Sequence, residues 1–386
     1  MALEQELSSL NEFYFFREFT YANTTFKPKP QAEVELADSV IWLDELLFIY
    51  QVKEREIVQT TTADEEVLWF NRKVLGKATK QVRDTLAYLS SCPEIELRNC
   101  RGHLFNLKQA NVAKMHKIVV YHPSNLLPLS CLSRKYHKSR SAGFIHLFSA
   151  VDYLGILRTF LTPAEVADYL CFREQLGERW EQKVEEVPEQ AIVGQYLADE
   201  LDAHPSLEFI QFLQQLDQKV EGWDISRIIK LFPERQTTTT TAPTDYYSIV
   251  RELAKLNRQE LGNFKERFRL SMDKARTDTF VLPYRFVAPR TGCGFVFIPL
   301  TLDVAHHRRN ALVNLTQAHK YDQKLEKCIG VSFVADKNRW FDVEWCYLKF
   351  PWEPDEEMAT ALLNNKPFRE VRTVRNPRYT FEGTLD

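Results

Sequence analysis

The sequence predicts an α/β fold at the N-terminus, followed by a helical middle and a mixed α+β C-terminal part. Three patterns carry that prediction. Residues 33–55 pattern apolar and polar side chains at period two, residues 64–90 carry apolar side chains at helical spacing, and short apolar runs follow.

The first element is a β-hairpin, EVELADSVIWLDELLFIYQVKER, from Glu33 to Arg55. Val34, Leu36, Val40 and Trp42 share one face of its first strand, because side chains alternate sides along a strand. Asp38 falls on that same apolar face. Leu47, Ile49, Gln51 and Lys53 share a face of the second strand. An even turn centred between Asp44 and Glu45 makes partner numbers sum to 89. Asp38 then lies opposite Gln51, Val40 opposite Ile49, and Trp42 opposite Leu47, with Cβ atoms about 5 Å apart. A carboxylate, an amide oxygen and an ammonium meet at one end of a greasy face.

Two readings of that cluster stay open at this level. In one, Asp38 hydrogen-bonds a nearby loop and Lys53 reaches from the strand end to water. In the other, a hard divalent cation sits between Asp38 and Gln51, since carboxylate and amide oxygens suit Mg²⁺. Lys53 would then stabilise phosphate charge or hold an attacking water. Burying an acid among apolar neighbours is costly unless it is paired or coordinated, which favours the second.

The second element is a helix from Asp64 to Ser90, with Val67, Phe70, Val74, Ala78, Val82, Leu86 and Leu89 on one stripe. His116–His122 and Gly143–Ser149 read as short buried strands. Upstream, Glu4, Glu6 and Glu12 lie in an amphipathic segment, and Glu18 lies in FREFTY, which also reads as a strand. Continued alternation predicts that Glu33 and Glu35 face away from Asp38.

The Asp38 and Gln51-Val52-Lys53 arrangement resembles the active-site motif of the restriction-endonuclease-like superfamily, written PD-(D/E)XK. Its Gln variant is similar to that of Mrr-type restriction enzymes and NERD-type nuclease domains. The resemblance implies a restriction-endonuclease-like α/β core in which Asp38 and Gln51 bind Mg²⁺ or Mn²⁺ and Lys53 assists the attacking water. It implies an extra polar residue on the following helix, for which Lys77, Lys80 and Gln81 are candidates and Gln81 the choice. It also implies a Glu on an upstream helix. Ala37 stands where the motif has Pro, and Gln51 replaces an acid, which weakens metal binding. The expected activity is metal-dependent phosphodiester hydrolysis of DNA in bacterial defence or DNA processing. The alternatives are an inactive nuclease-fold scaffold and an RNA-directed nuclease.

Further along, Thr162-Pro163-Ala164-Glu165 is a capping box with Pro at the first helical position. Ile192–Leu201 and Leu207–Val220 read as helices. Gln236 to Thr244, QTTTTTAPT, reads as a linker or exposed loop. Tyr246–Lys274 reads as a charged helix, Gly294–Leu300 as a buried strand and Asp303–Lys327 as a helix. Cys328–Ala335, the turn Asp336-Lys337-Asn338 and Trp340–Phe350 read as a hairpin. Its Asp342 and Glu344 alternate with apolar residues and so read as a wet face rather than a metal pair. The expected domains are 1–150, 151–235 and 245–386, with 236–244 between the last two.

Composition sets the remaining bounds. The chain has 386 residues and a formal net charge of −3, so any DNA contact must come from local patches. Arg134, Lys135, Lys138 and Arg140 form one such patch in a predicted loop; His306-His307-Arg308-Arg309 form another. Seven widely spaced cysteines point to reduced thiols in a cytoplasmic setting, and no C-x-x-C pair suggests structural zinc. No apolar run reaches the roughly 20 residues of a membrane span. No Walker loop, G-x-S-x-G or H-E-x-x-H is present, which disfavours a nucleotide hydrolase or a protease. A protein partner for the C-terminal module is expected. A homodimer is a second expectation, since double-strand cutting often takes two sites.

Overall fold

The structure is a computed structural model. It describes residues 3–22, 24–28, 32–55, 62–216, 242–277, 279–335 and 341–370, with positions 224, 225, 228–230, 232, 379 and 381. The fold is mixed α/β, in two compact units: Met1–Leu216 with Phe381–Asp386, and Asp217–Thr380.

The first unit opens with helix α1 (Leu3–Tyr14) and strand β1 (Thr20–Ala22), and a two-stranded ribbon, β2 (Thr25–Phe26) with β3 (Val34–Glu35), leads into the hairpin. The hairpin strands are β4 (Ser39–Leu43) and β5 (Leu46–Glu54). Their register pairs Val40 with Ile49 and Trp42 with Leu47, as the alternation predicts. A two-residue turn sets that register. Asp44 takes a left-handed φ of 49°, which short polar side chains tolerate, and the Trp42 indole donates to its carbonyl at 2.9 Å.

Helix α2 (Ala63–Trp69) follows, then a π-helical segment at Phe70–Lys77, then α3 (Ala78–Ser91). Thr62 caps α2, exchanging hydrogen bonds with Glu65 in a capping box. The helical stripe is as expected: Phe70, Val74, Ala78 and Val82 are fully buried against Val119, Tyr121, Ile145 and Leu147. Each of the buried Phe and Val side chains contributes roughly 1.5–3 kcal/mol, and Ala78 less. A second ribbon, β6 (Glu96–Arg98) with β7 (Leu104–Asn106), leads to β8 (Met115–His122), helix α4 (Leu129–Leu132), β9 (Tyr136–Ser139) and β10 (Gly143–Ser149). The main sheet runs β1-β4-β5-β8-β10-β9. Strands β5, β8 and β10 are parallel; the others join antiparallel.

The helices after residue 150 belong to this unit rather than to a separate region, so the break falls at 216/217 and not at 150/151. They are α5 (Ala150–Thr159), α6 (Pro163–Trp180), α7 (Glu189–Leu197) and α8 (Ile210–Gln214). Thr162 caps α6 by accepting the Glu165 N–H at 3.1 Å. From α6, the buried Arg173 guanidinium reaches the Lys135 and Leu147 carbonyls of the sheet and pairs with Glu189 on α7 at 2.7 Å. Such an anchored charge fixes the helices to the sheet, since leaving it unpaired in the interior is costly.

In the second unit, α9 (Tyr247–Ala254) and α10 (Arg258–Ala275) replace the single helix predicted from Tyr246 to Lys274. The break comes from Asn257, which accepts the Glu260 N–H while Glu260 accepts the Asn257 N–H. That capping box starts a new helix. A four-stranded sheet runs β11 (Tyr284–Ala288), β12 (Cys293–Leu300), β13 (Lys327–Ala335) and β14 (Phe341–Lys349). It is joined by α11 (Arg308–Asp322) and α12 (Glu356–Asn365). The predicted helix from Asp303 is a 3-10 turn up to His307, and the α-helix ends at Asp322. Most of the Thr-rich run 236–244 and the turn 336–338 lie outside the described residues.

Candidate active site

The loop before β4 is held from two sides. The Thr24 carbonyl accepts the Leu36 N–H and its hydroxyl oxygen accepts the Ala37 N–H, each at 2.9 Å. From α3, the Thr85 hydroxyl donates to the Leu36 carbonyl. These bonds set Asp38, which lies just before β4 and donates its N–H to the Tyr50 carbonyl at 3.1 Å. Gln51 and Lys53 lie near the C-terminal end of β5, beside Val119 and Tyr121 of the parallel strand β8. The sheet therefore brings Asp38, Gln51 and Lys53 together on the face covered by α3.

The Lys53 ammonium is the centre of the cluster. Its Nζ lies 3.3 Å from Asp38 Oδ2, 3.5 Å from Gln51 Oε1 and 2.7 Å from the Val52 carbonyl. Asp38 Oδ2 also accepts the Val52 N–H. Asp38 and Lys53 are each 9% exposed and Gln51 is 1% exposed. Burial pushes the Lys53 pKa below the ordinary range, with Asp38 as its main counterweight and Lys77 adding to the decrease.

Two acids complete the surroundings. The first N–H of α1, on Leu3, donates to the Glu54 carboxylate at 3.0 Å, which docks the helix start at the end of β5. Glu4 follows, and burial and the Asp38 charge raise its pKa while Lys53 opposes the shift. Of the upstream acids Glu4 is the one that feels Asp38. Glu12 pairs with Arg17, and buried Glu18 pairs with Arg101. Glu35 is exposed, as alternation predicts, yet partial loss of water around its carboxylate, with the Asp38 and Glu4 charges, raises its pKa while Lys53 and Lys77 oppose the shift. It is thus in electrostatic reach of the site, which strand alternation alone does not foretell.

Gln81 lies one turn before Thr85 on α3, and its buried Oε1 has no hydrogen-bond partner among the described residues. A carboxylate and amide oxygens form a donor set that fits a hard cation. The ammonium already shows that Asp38 and Gln51 oxygens converge on one positive centre. Among the described residues, no three His, Cys, Asp or Glu side chains gather as a metal site. A cation here would thus depend on Asp38 with amide oxygens.

The predicted phosphate-binding patch differs in two respects, its backbone and Lys135. Residues 136–139 form edge strand β9 rather than a loop. Lys135 is buried, with Nζ 3.5 Å from Glu189 Oε2, so it faces inward. Arg134 is half-buried; Lys138 and Arg140 are exposed. In the second unit, Arg308 pairs with Asp342 and Glu344, so these acids serve an internal contact and Arg308 is occupied.

No family model, curated protein or solved structure matches this chain. Among the described residues, no helix is long and apolar enough to cross a membrane.

Proposed function

We propose that the first unit is a restriction-endonuclease-like, Mg²⁺-dependent nuclease acting on DNA, with Mn²⁺ able to substitute. One observation carries this reading: Asp38, Gln51 and Lys53 converge around a single charged centre at the end of two parallel strands. Asp38 and Gln51 would hold the cation, with Gln81 as an added oxygen and Glu4 as the upstream acid. A bound divalent cation supplies charge neutralisation at a scissile phosphate and lowers the pKa of an attacking water. Lys53, its proton loosened by burial, orients that water and offsets charge in the transition state. Asp38 holds the ammonium in place, and α3 shields the site from bulk water.

Purified protein with Mg²⁺ or Mn²⁺ is expected to cut plasmid DNA. Asp38→Ala and Lys53→Ala are expected to slow cutting at least ~100-fold with the fold intact by circular dichroism. Undiminished cutting by both variants rejects the site. Parallel digestion of matched RNA tests the DNA assignment.

A second reading is a nuclease-like scaffold without activity. It is favoured by the Lys53 ammonium, which already satisfies Asp38 and Gln51, and by the missing charge at Gln51. Calorimetric titration separates the two. Saturable Mg²⁺ or Mn²⁺ binding that Asp38→Ala removes supports the enzyme, and no binding supports the scaffold.

A further inference from the structure

The helix that covers the site carries an unneutralised row of cations. Arg72, Lys73, Lys77, Lys80 and Arg83 are all exposed, outside the buried stripe of Phe70, Val74, Ala78 and Val82. No acidic residue occurs between Glu66 and Asp84. Arg83 pairs with Asp84, but Arg72, Lys73, Lys77 and Lys80 make no ion pair among the described residues. Like charges three and four residues apart cost a helix about 0.2–0.5 kcal/mol per pair. Glu35 offsets part of that cost at Lys77, but no ion pair among the described residues meets Arg72, Lys73 or Lys80. The row leads to the site: Thr85 of the same helix donates to the Leu36 carbonyl two residues before Asp38, with Gln81 one turn and Lys77 two turns before Thr85, and Lys77 is in electrostatic reach of Lys53 and Glu35.

We propose that Arg72, Lys73, Lys77 and Lys80 form the track that holds the DNA backbone while Asp38 and Lys53 face the scissile phosphate. The inference rests on the nuclease reading for its substrate. At helical rise, Lys73 to Lys80 spans roughly 10 Å. That matches about three phosphate-to-phosphate steps of one strand, each advancing ~3.4 Å along the duplex axis. The contacts are to phosphate, so the track adds affinity and register without reading bases. It replaces the 134–140 segment, whose Lys135 points inward.

The test is binding of a fluorescent 20-base-pair duplex to the full chain in EDTA, across a salt series, by anisotropy. Without divalent cation no cutting interferes. Each of Lys73→Ala, Lys77→Ala and Lys80→Ala is expected to make the slope of log affinity against log salt shallower by about 1. The triple variant is expected to flatten it by about 3. The charge-matched triple Lys138→Ala, Arg140→Ala, Lys265→Ala is expected to leave it unchanged. An unchanged slope in the Lys73/Lys77/Lys80 triple, or no duplex binding at low salt, overturns the track. The two readings fail separately. Salt-sensitive binding lost in the triple, without cutting in Mg²⁺, sinks the nuclease and keeps the track. Cutting with an unaltered slope does the reverse.

Discussion

At the scale of residues, the candidate site is a buried ion pair whose oxygens also suit a metal. Lys53 donates to Asp38, Gln51 and Val52 from a position that is 9% exposed. Removing one partner of such a pair leaves the other charge in low dielectric, which costs roughly 3–5 kcal/mol. Asp38→Ala is therefore expected to lower unfolding free energy by up to about that much. Lys53→Met, which keeps the stem but leaves the Asp38 carboxylate unpaired, is expected to cost a similar amount. Urea denaturation measures both, and a negligible loss in both would contradict the pairing. The register that pairs Val40 with Ile49 and Trp42 with Leu47 was legible because a strand alternates strictly and Asp44-Glu45 leave room for only a short turn. Glu4 was legible as a candidate but not as the choice. Its selection depends on Glu54 capping α1, a contact 51 residues apart in the chain.

At the scale of elements, local chemistry marks where helices begin. Thr162 before Pro163 opens α6, and Thr162→Ala is expected to cost about 1 kcal/mol in denaturation experiments. The same chemistry at Asn257 and Glu260 divides the second-unit helix, and periodicity alone runs across that division because both halves are amphipathic. The π-helical turn at Phe70–Lys77 is invisible to periodicity for a related reason: it is a shift in backbone hydrogen bonding that leaves the apolar stripe nearly continuous. Close packing supplies a further test. A Cβ on Gly194 of α7 would lie 1.9 Å from the Phe209 carbonyl oxygen. Backbone cannot yield as a flexible side chain can, so Gly194→Ala is expected to destabilise the first unit by roughly 2–3 kcal/mol. An unaltered thermal transition would show that the 206–209 turn moves freely.

At the scale of the whole molecule, both units hold histidines in the neutral form. Burial pushes His116 down to about 4, with nearby Lys117 adding to the effect. Burial and Arg285 push His319 to about 4. His146, buried beside Arg173, His116 and Lys117, is pushed well below the usual range. Unfolded histidine takes up its proton near 6.5. Between about 6.5 and 4 the unfolded chain thus binds more protons than the folded one, and stability falls as pH falls. Each group contributes up to about 1.4 kcal/mol per pH unit in that window. Urea titrations at pH 7, 6 and 5 are expected to show the decline. His116→Phe, which extends the ring contact with Phe48, is expected to make it shallower. A pH-independent midpoint would contradict the neutral, buried state.

Taken by itself, the sequence determined the α/β class, the hairpin register, the stripe of the covering helix and the start of α6. Each of these follows from period, turn length or a cap within a few residues. Tertiary structure alone decided that Lys135 turns inward to Glu189, that Glu35 comes within electrostatic reach of Asp38, and that the helices after residue 150 complete the first unit. Those outcomes depend on which distant charges and surfaces meet, and no local pattern encodes such a meeting.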